Sequence, residues 1–89
     1  MKERYLEVTF RNGKPFAAYL YLPRQNGERS LRSEEAGHGM VIDYGSSERP
    51  IGIELTAPEK VTLDRLNEVL KRLNLPPMKE DELAPLAAA

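Results

Sequence analysis

The amino-acid sequence predicts an α+β domain: an antiparallel β-meander of four to five strands with one C-terminal α-helix packed on one face. Three observations carry that expectation. From Gly37 to Leu55 large apolar residues recur with period two on either side of a polar turn, which specifies a hairpin with one buried face. The dipeptides Asn12-Gly13 and Asn26-Gly27 punctuate the preceding apolar runs as tight turns do. Beyond Ala57-Pro58 the apolar period becomes helical.

Leu6, Val8 and Phe10 alternate with Glu7 and Thr9, so the first strand reads as an edge strand with one wet face. Phe16 to Leu22 is apolar or aromatic throughout, which suits a central strand. An odd-length loop centred on Gly13 would set Leu6, Val8 and Phe10 against Leu20, Ala18 and Phe16. A two-residue Asn12-Gly13 turn would instead place Pro15 opposite Phe10, so the odd loop is the expected form. Asn26-Gly27 is expected to close a second hairpin, with Leu22 opposite Leu31 and Tyr21 opposite Arg32. The polar run 29–35 then forms an exposed edge.

In the last hairpin Tyr44, Ile42 and Met40 are expected opposite Ile51, Ile53 and Leu55, with Val41, Asp43, Gly52 and Glu54 on the other face. Leu63, Leu66, Val69, Leu70 and Leu73 form the apolar stripe of a helix capped by Thr62 and stopped by Asn74-Leu75-Pro76-Pro77. That stripe should meet Leu20, Ile42, Ile53 and Leu55. The expected domain is therefore 1–77. Residues 78–89, with few large apolar groups, read as a C-terminal tail that is flexible or packed at an interface, and dispensable for folding.

Composition narrows the function. Eighty-nine residues make one small domain with a thin stability margin. A net charge of -1 gives no global attraction for nucleic acid or anionic lipid. The absence of cysteine excludes disulfides, thiolate catalysis and Cys-ligated metals. With no apolar run long enough to cross a bilayer and no signal-peptide core at Met1-Lys2-Glu3-Arg4-Tyr5, a cytoplasmic location is expected.

Three groups of residues are candidates for chemistry or recognition. His38 is the single histidine, but strand parity turns it toward Met40 and away from Asp43 and Glu54, which favours a structural or exposed role. Asp43 and Glu54 are diagonal neighbours that could form a minor metal or acid-base site, though two carboxylates under-supply a hard cation. Tyr19 and Tyr21, with Arg32, suggest a stacking surface for single-stranded nucleic acid. Glu34 and Glu35 nearby oppose that reading, and tyrosine with arginine suits a protein partner equally well. One helix covers one sheet face, leaving Ala17, Tyr19, Tyr21 and Val41 uncovered, so self-association through this face, or across an exposed strand edge, is expected. The expected function is thus a non-catalytic, self-associating protein-interaction module, without a cofactor and with Tyr19, Tyr21, Arg32, Val41, Asp43 and Glu54 at its interaction surface.

Tyr19-Leu20-Tyr21-Leu22, Asp43-Tyr44 and Gly52-Ile53-Glu54 together resemble the DUF2283 family of small prokaryotic proteins over about residues 4 to 56. Family members commonly carry an acidic residue shortly before the Leu-Tyr signature, where this chain has Phe16-Ala17-Ala18. The resemblance implies a small cytoplasmic protein without assigned enzyme activity. Some members look like partners of neighbouring toxin-like proteins, an antitoxin-like role.

Overall fold

The computed structural model describes residues 3–87. Met1 and Lys2, at the start of the segment read for a signal peptide, and Ala88 and Ala89 of the expected tail lie outside the described residues. Five strands form one antiparallel sheet: β1 (Tyr5–Arg11), β2 (Lys14–Tyr21), β3 (Arg32–Gly37), β4 (Met40–Tyr44) and β5 (Pro50–Leu55). A helix, α1 (Leu63–Arg72), follows, and the described chain closes with a 3-10 turn over Glu80–Leu83 and a helical turn, α2 (Ala84–Ala87). The α+β expectation holds, and β3, β4 and β5 run as a meander.

The sheet order is β1-β2-β5-β4-β3, which corrects one expected pairing. Tyr21 stands opposite Gly52 and Arg32 opposite Tyr44, so β2 and β3 do not form a hairpin. Leu22 donates its amide to Ile51 and Leu31 donates to Tyr44, again keeping the two segments apart. The physical reason lies in the side chains. β2 is apolar on both faces and needs a buried neighbour; β5 supplies Ile51, Ile53 and Leu55, each fully buried. The charged β3 is better placed at the sheet's edge. Asn26-Gly27 still turns, closed by the Glu28 amide bonding to Gln25, but within a connection that crosses to the far edge.

The β1–β2 register satisfies both forces that competed in the sequence. Leu6 faces Leu20 and Val8 faces Ala18, as the apolar pattern requires. The expected odd-length loop does not form: Arg11 faces Lys14 across a two-residue turn, with Asn12 and Gly13 at φ 54° and 77°, the left-handed pair such a turn demands. A β-bulge resolves the conflict: Phe10 faces Pro15 and Phe16 is the extra residue. A second bulge replaces the expected Tyr44–Ile51 pair by Tyr44–Pro50, whereas Ile42–Ile53 and Met40–Leu55 pair as expected.

Leu66, Val69 and Leu70 of α1 are buried in a cluster with Leu20, Ile42, Ile53 and Leu55, and Leu63 and Leu73 pack at its margin. Burying each aliphatic side chain is worth about 1.5 to 3 kcal/mol before conformational entropy is subtracted. Thr62 caps the helix by accepting from the Arg65 amide at 3.2 Å. The boundary drawn at residue 77 falls inside the packed structure, because Met78 is buried in the same core. Its backbone is held at both polar groups by Asn67, which accepts from the Met78 amide at 2.7 Å and donates to its carbonyl at 3.1 Å. Arg4 donates to the carbonyls of Pro76 and Pro77, tying the start of β1 to the segment after α1, and Leu83 and Leu86 pack part-buried on the core.

Candidate functional site

The sheet face away from α1 carries the polar constellation. Strand alternation and register put Tyr5, Glu7, Thr9, Ala17, Tyr19, Tyr21, Val41, Asp43, Gly52 and Glu54 on this side. Tyr19 on β2 and Asp43 on β4 are separated by β5, yet the Tyr19 hydroxyl donates to Asp43 Oδ2 at 2.8 Å. Gly52 makes that reach possible. A Cβ at this position would overlap Oη, Cζ and Cε2 of Tyr19, so the phenol lies against bare backbone. The second carboxylate oxygen of Asp43 accepts from Ser33 Oγ on β3 at 2.6 Å. One carboxylate thereby links β2, β4 and β3.

Burial, and next the hydrogen bond to Asp43, push the Tyr19 hydroxyl up to about 12; Arg24 opposes the shift. At neutral pH the hydroxyl is protonated and serves as the donor to Asp43. Tyr21 stacks on Tyr5 with ring centroids 4.6 Å apart and meets Tyr19 edge-on at 4.7 Å. Its hydroxyl approaches Glu7 at 3.4 Å, and burial followed by the Glu7 charge raises its pKa. The Arg24 guanidinium lies 5.3 Å from the Tyr21 ring centre and donates to the Ile51 carbonyl.

Among the sequence-selected residues, Tyr19, Tyr21, Val41, Asp43 and Glu54 share this face. Arg32 does not. It stands on the helix side of edge strand β3, 4.1 Å over the Tyr44 ring and paired with Glu48 at 2.5 Å. The expected contact between Arg32 and Tyr21 fails because β5 and β4 intervene. His38 occupies the tip of the β3–β4 turn at φ 53°, exposed, instead of following strand parity toward Met40. Glu54 stands opposite both Tyr19 and Val41 and is exposed, while Asp43 is committed to two hydroxyls. Among the described residues, no group of three or more acidic or histidine side chains is placed to hold a metal ion. A shallow depression of about 170 Å³ on this face is lined by Glu7, Thr9, Ala17, Ala18, Tyr19 and Glu54.

A second polar cluster escaped sequence reasoning. Glu28 accepts from the Gln25 amide at 3.1 Å, from the Ser46 amide and hydroxyl at 3.2 and 3.1 Å, and from Arg49 at 2.5 Å. The Arg49 bond, then the Gln25 amide, hold its carboxyl down to about 2. Gly45 leaves room for it: a Cβ there would lie 2.5 Å from Glu28 Oε2. The cluster fastens the long β2–β3 connection to the β4–β5 turn. Its only sequence signal was an acid beside Asn26-Gly27.

Fold and site define a five-stranded α+β domain whose polar face is cross-linked by hydrogen bonds. The chain matches no family model, no curated protein and no solved structure.

Proposed function

We propose that this protein is a non-catalytic interaction module that associates with a second copy of itself. The observation carrying this reading is the location of its exposed apolar groups. Tyr5, Phe10 and Phe16, at 50%, 48% and 51% exposure, cluster on the β1–β2 hairpin, whose outer strand is an open edge of the sheet, while Leu31, at 72%, stands singly before the opposite edge strand β3. Exposed aromatics beside unpaired strand backbone favour association. The non-catalytic reading rests on how the chemical candidates are used: Asp43 accepts two internal hydrogen bonds, Tyr19 donates one of them, and His38 is exposed at the tip of a turn.

The resemblance to DUF2283 fits this reading. Gly52 and Asp43, both within the residues that carry it, have an architectural use here, since one admits the Tyr19 ring and the other receives its hydrogen bond. A cytoplasmic, antitoxin-like partner role follows from the same resemblance. Light scattering or sedimentation from micromolar to submillimolar concentration tests self-association. A concentration-dependent rise above the 10.1 kDa chain mass supports it, and a single monomeric species throughout contradicts it.

A further inference from the structure

The two edges of the sheet differ in a way that selects the contact. β3 bears Arg32, Glu34 and Glu35 and is bulged at Ala36; such features discourage pairing with another strand. β1 runs unbroken from Tyr5 to Arg11, because the bulge of its hairpin falls on β2 at Phe16 and leaves the outer strand regular. The start of β1 is also fixed, since neighbouring Arg4 donates to the carbonyls of Pro76 and Pro77. An ordered edge loses less conformational freedom when a partner strand is added.

We infer that two copies join their β1 strands antiparallel about a two-fold axis at Val8, making one continuous ten-stranded sheet. This inference rests on the self-association proposed above and specifies its surface. In that register Val8 meets its own counterpart, Leu6 meets Phe10, Glu7 meets Thr9 and Tyr5 meets Arg11, each of the last three pairs occurring twice. Side-chain parity agrees with the pairing. Leu6, Val8 and Phe10 lie on the helix side, so the exposed Phe10 gains an apolar neighbour on either side of the axis. Charges are complementary as well. Arg11, which already lies 4.3 Å over Phe16, faces the Tyr5 ring and stands diagonal to Glu7 of the second copy. Centring the axis at Glu7 would set like charges opposite each other. Centring it at Thr9 would leave Tyr5 opposite Gly13 and shorten the ladder to five residues.

The chain has no cysteine, so introduced thiols report the contact without background. Val8→Cys and Thr9→Cys are each purified reduced and oxidised with diamide, which couples two thiols to a disulfide and is itself reduced to the hydrazine. Val8→Cys should give a covalent dimer and Thr9→Cys substantially less, because Thr9 faces Glu7 in this register. Phe10→Arg changes an exposed side chain and should keep the parent's circular dichroism and melting temperature within a few degrees. It should weaken dimerisation more than tenfold in sedimentation equilibrium. A dimer that forms equally well with Phe10→Arg, or that cross-links through Thr9 in preference to Val8, overturns the β1 contact and leaves self-association by another surface standing. A parent chain monomeric at submillimolar concentration overturns both.

Discussion

The Tyr19 hydroxyl reaches Asp43 two strands away at 2.8 Å by laying its ring across Gly52 on the strand between them. Three residues distant in sequence thus make one physical unit: a donor, an acceptor and a gap in the side-chain layer. Ser33 completes it from the sheet's edge. The unit gives each carboxylate oxygen of this half-buried acid a hydroxyl donor from a neighbouring part of the sheet.

Removing the donor alone leaves half of Asp43 without its partner. Tyr19→Phe is expected to lower stability by about 1 to 2 kcal/mol, as for a hydrogen bond to a charged acceptor that is only part-buried. The same variant should alter the alkaline limb. A tyrosine raised from 10.0 to about 12 on folding contributes stability that is intact below pH 10 and lost as pH climbs toward 12. Urea denaturation from pH 8 to 12 should show the parent losing stability faster than Tyr19→Phe above pH 10.

Gly52→Ala is expected to displace the Tyr19 ring, because the new Cβ occupies the volume of its hydroxyl end. The cost should be about 1 to 3 kcal/mol from overpacking. In a Tyr19→Ala background the clash partner is gone, so Gly52→Ala should cost far less. A double-mutant cycle measures that coupling, and additive effects would show that the two residues do not meet.

Glu28 is held down to about 2 from its ordinary 4.5, so its contribution is complete above pH 4.5 and is lost as pH falls toward 2. Glu28→Gln should lower stability at neutral pH and flatten the acid limb across that window, read by chemical denaturation. Backbone amide exchange in the 23–31 connection should quicken in the same variant, since Glu28 also anchors Gln25 and Ser46.

Met78→Ala is expected to cost about 2 to 5 kcal/mol, the range for truncating a buried methionine. Asn67→Ala should destabilise as well, because two backbone groups of Met78 lose their partner. Thermal melts distinguish this from a dispensable tail, for which neither substitution would matter.

What the sequence made legible was local. Alternation between Met40 and Leu55 set the β4–β5 register from Met40–Leu55 to Ile42–Ile53, though not past the bulge at Tyr44, and the leucine spacing set which face of α1 is buried. The β1–β2 hairpin was half legible. Its apolar pattern and its turn chemistry pointed to different registers, and the chain accommodates both by inserting Phe16 as a bulge. Long-range choices were not legible. Asn26-Gly27 is a strong turn signal, but it carries no information about whether β3 or β5 competes better for the side of β2. Once β5 takes that place, Gly52 comes beside Tyr19 and Arg32 moves to the opposite edge and face. The Pro76-Pro77 pair correctly ended the helix, yet it concealed that Met78 turns back into the core, where Asn67 holds it.

The most direct test of this arrangement is the nuclear Overhauser contact between the Tyr19 ring protons and Gly52 Hα in the labelled native chain. Packing of an aromatic face on bare backbone predicts strong cross-peaks and an upfield shift of a Gly52 Hα resonance that disappears in Tyr19→Ala. Absence of those contacts, with cross-strand contacts between Tyr21 and Arg32 in their place, would establish a β2–β3 hairpin and contradict the account.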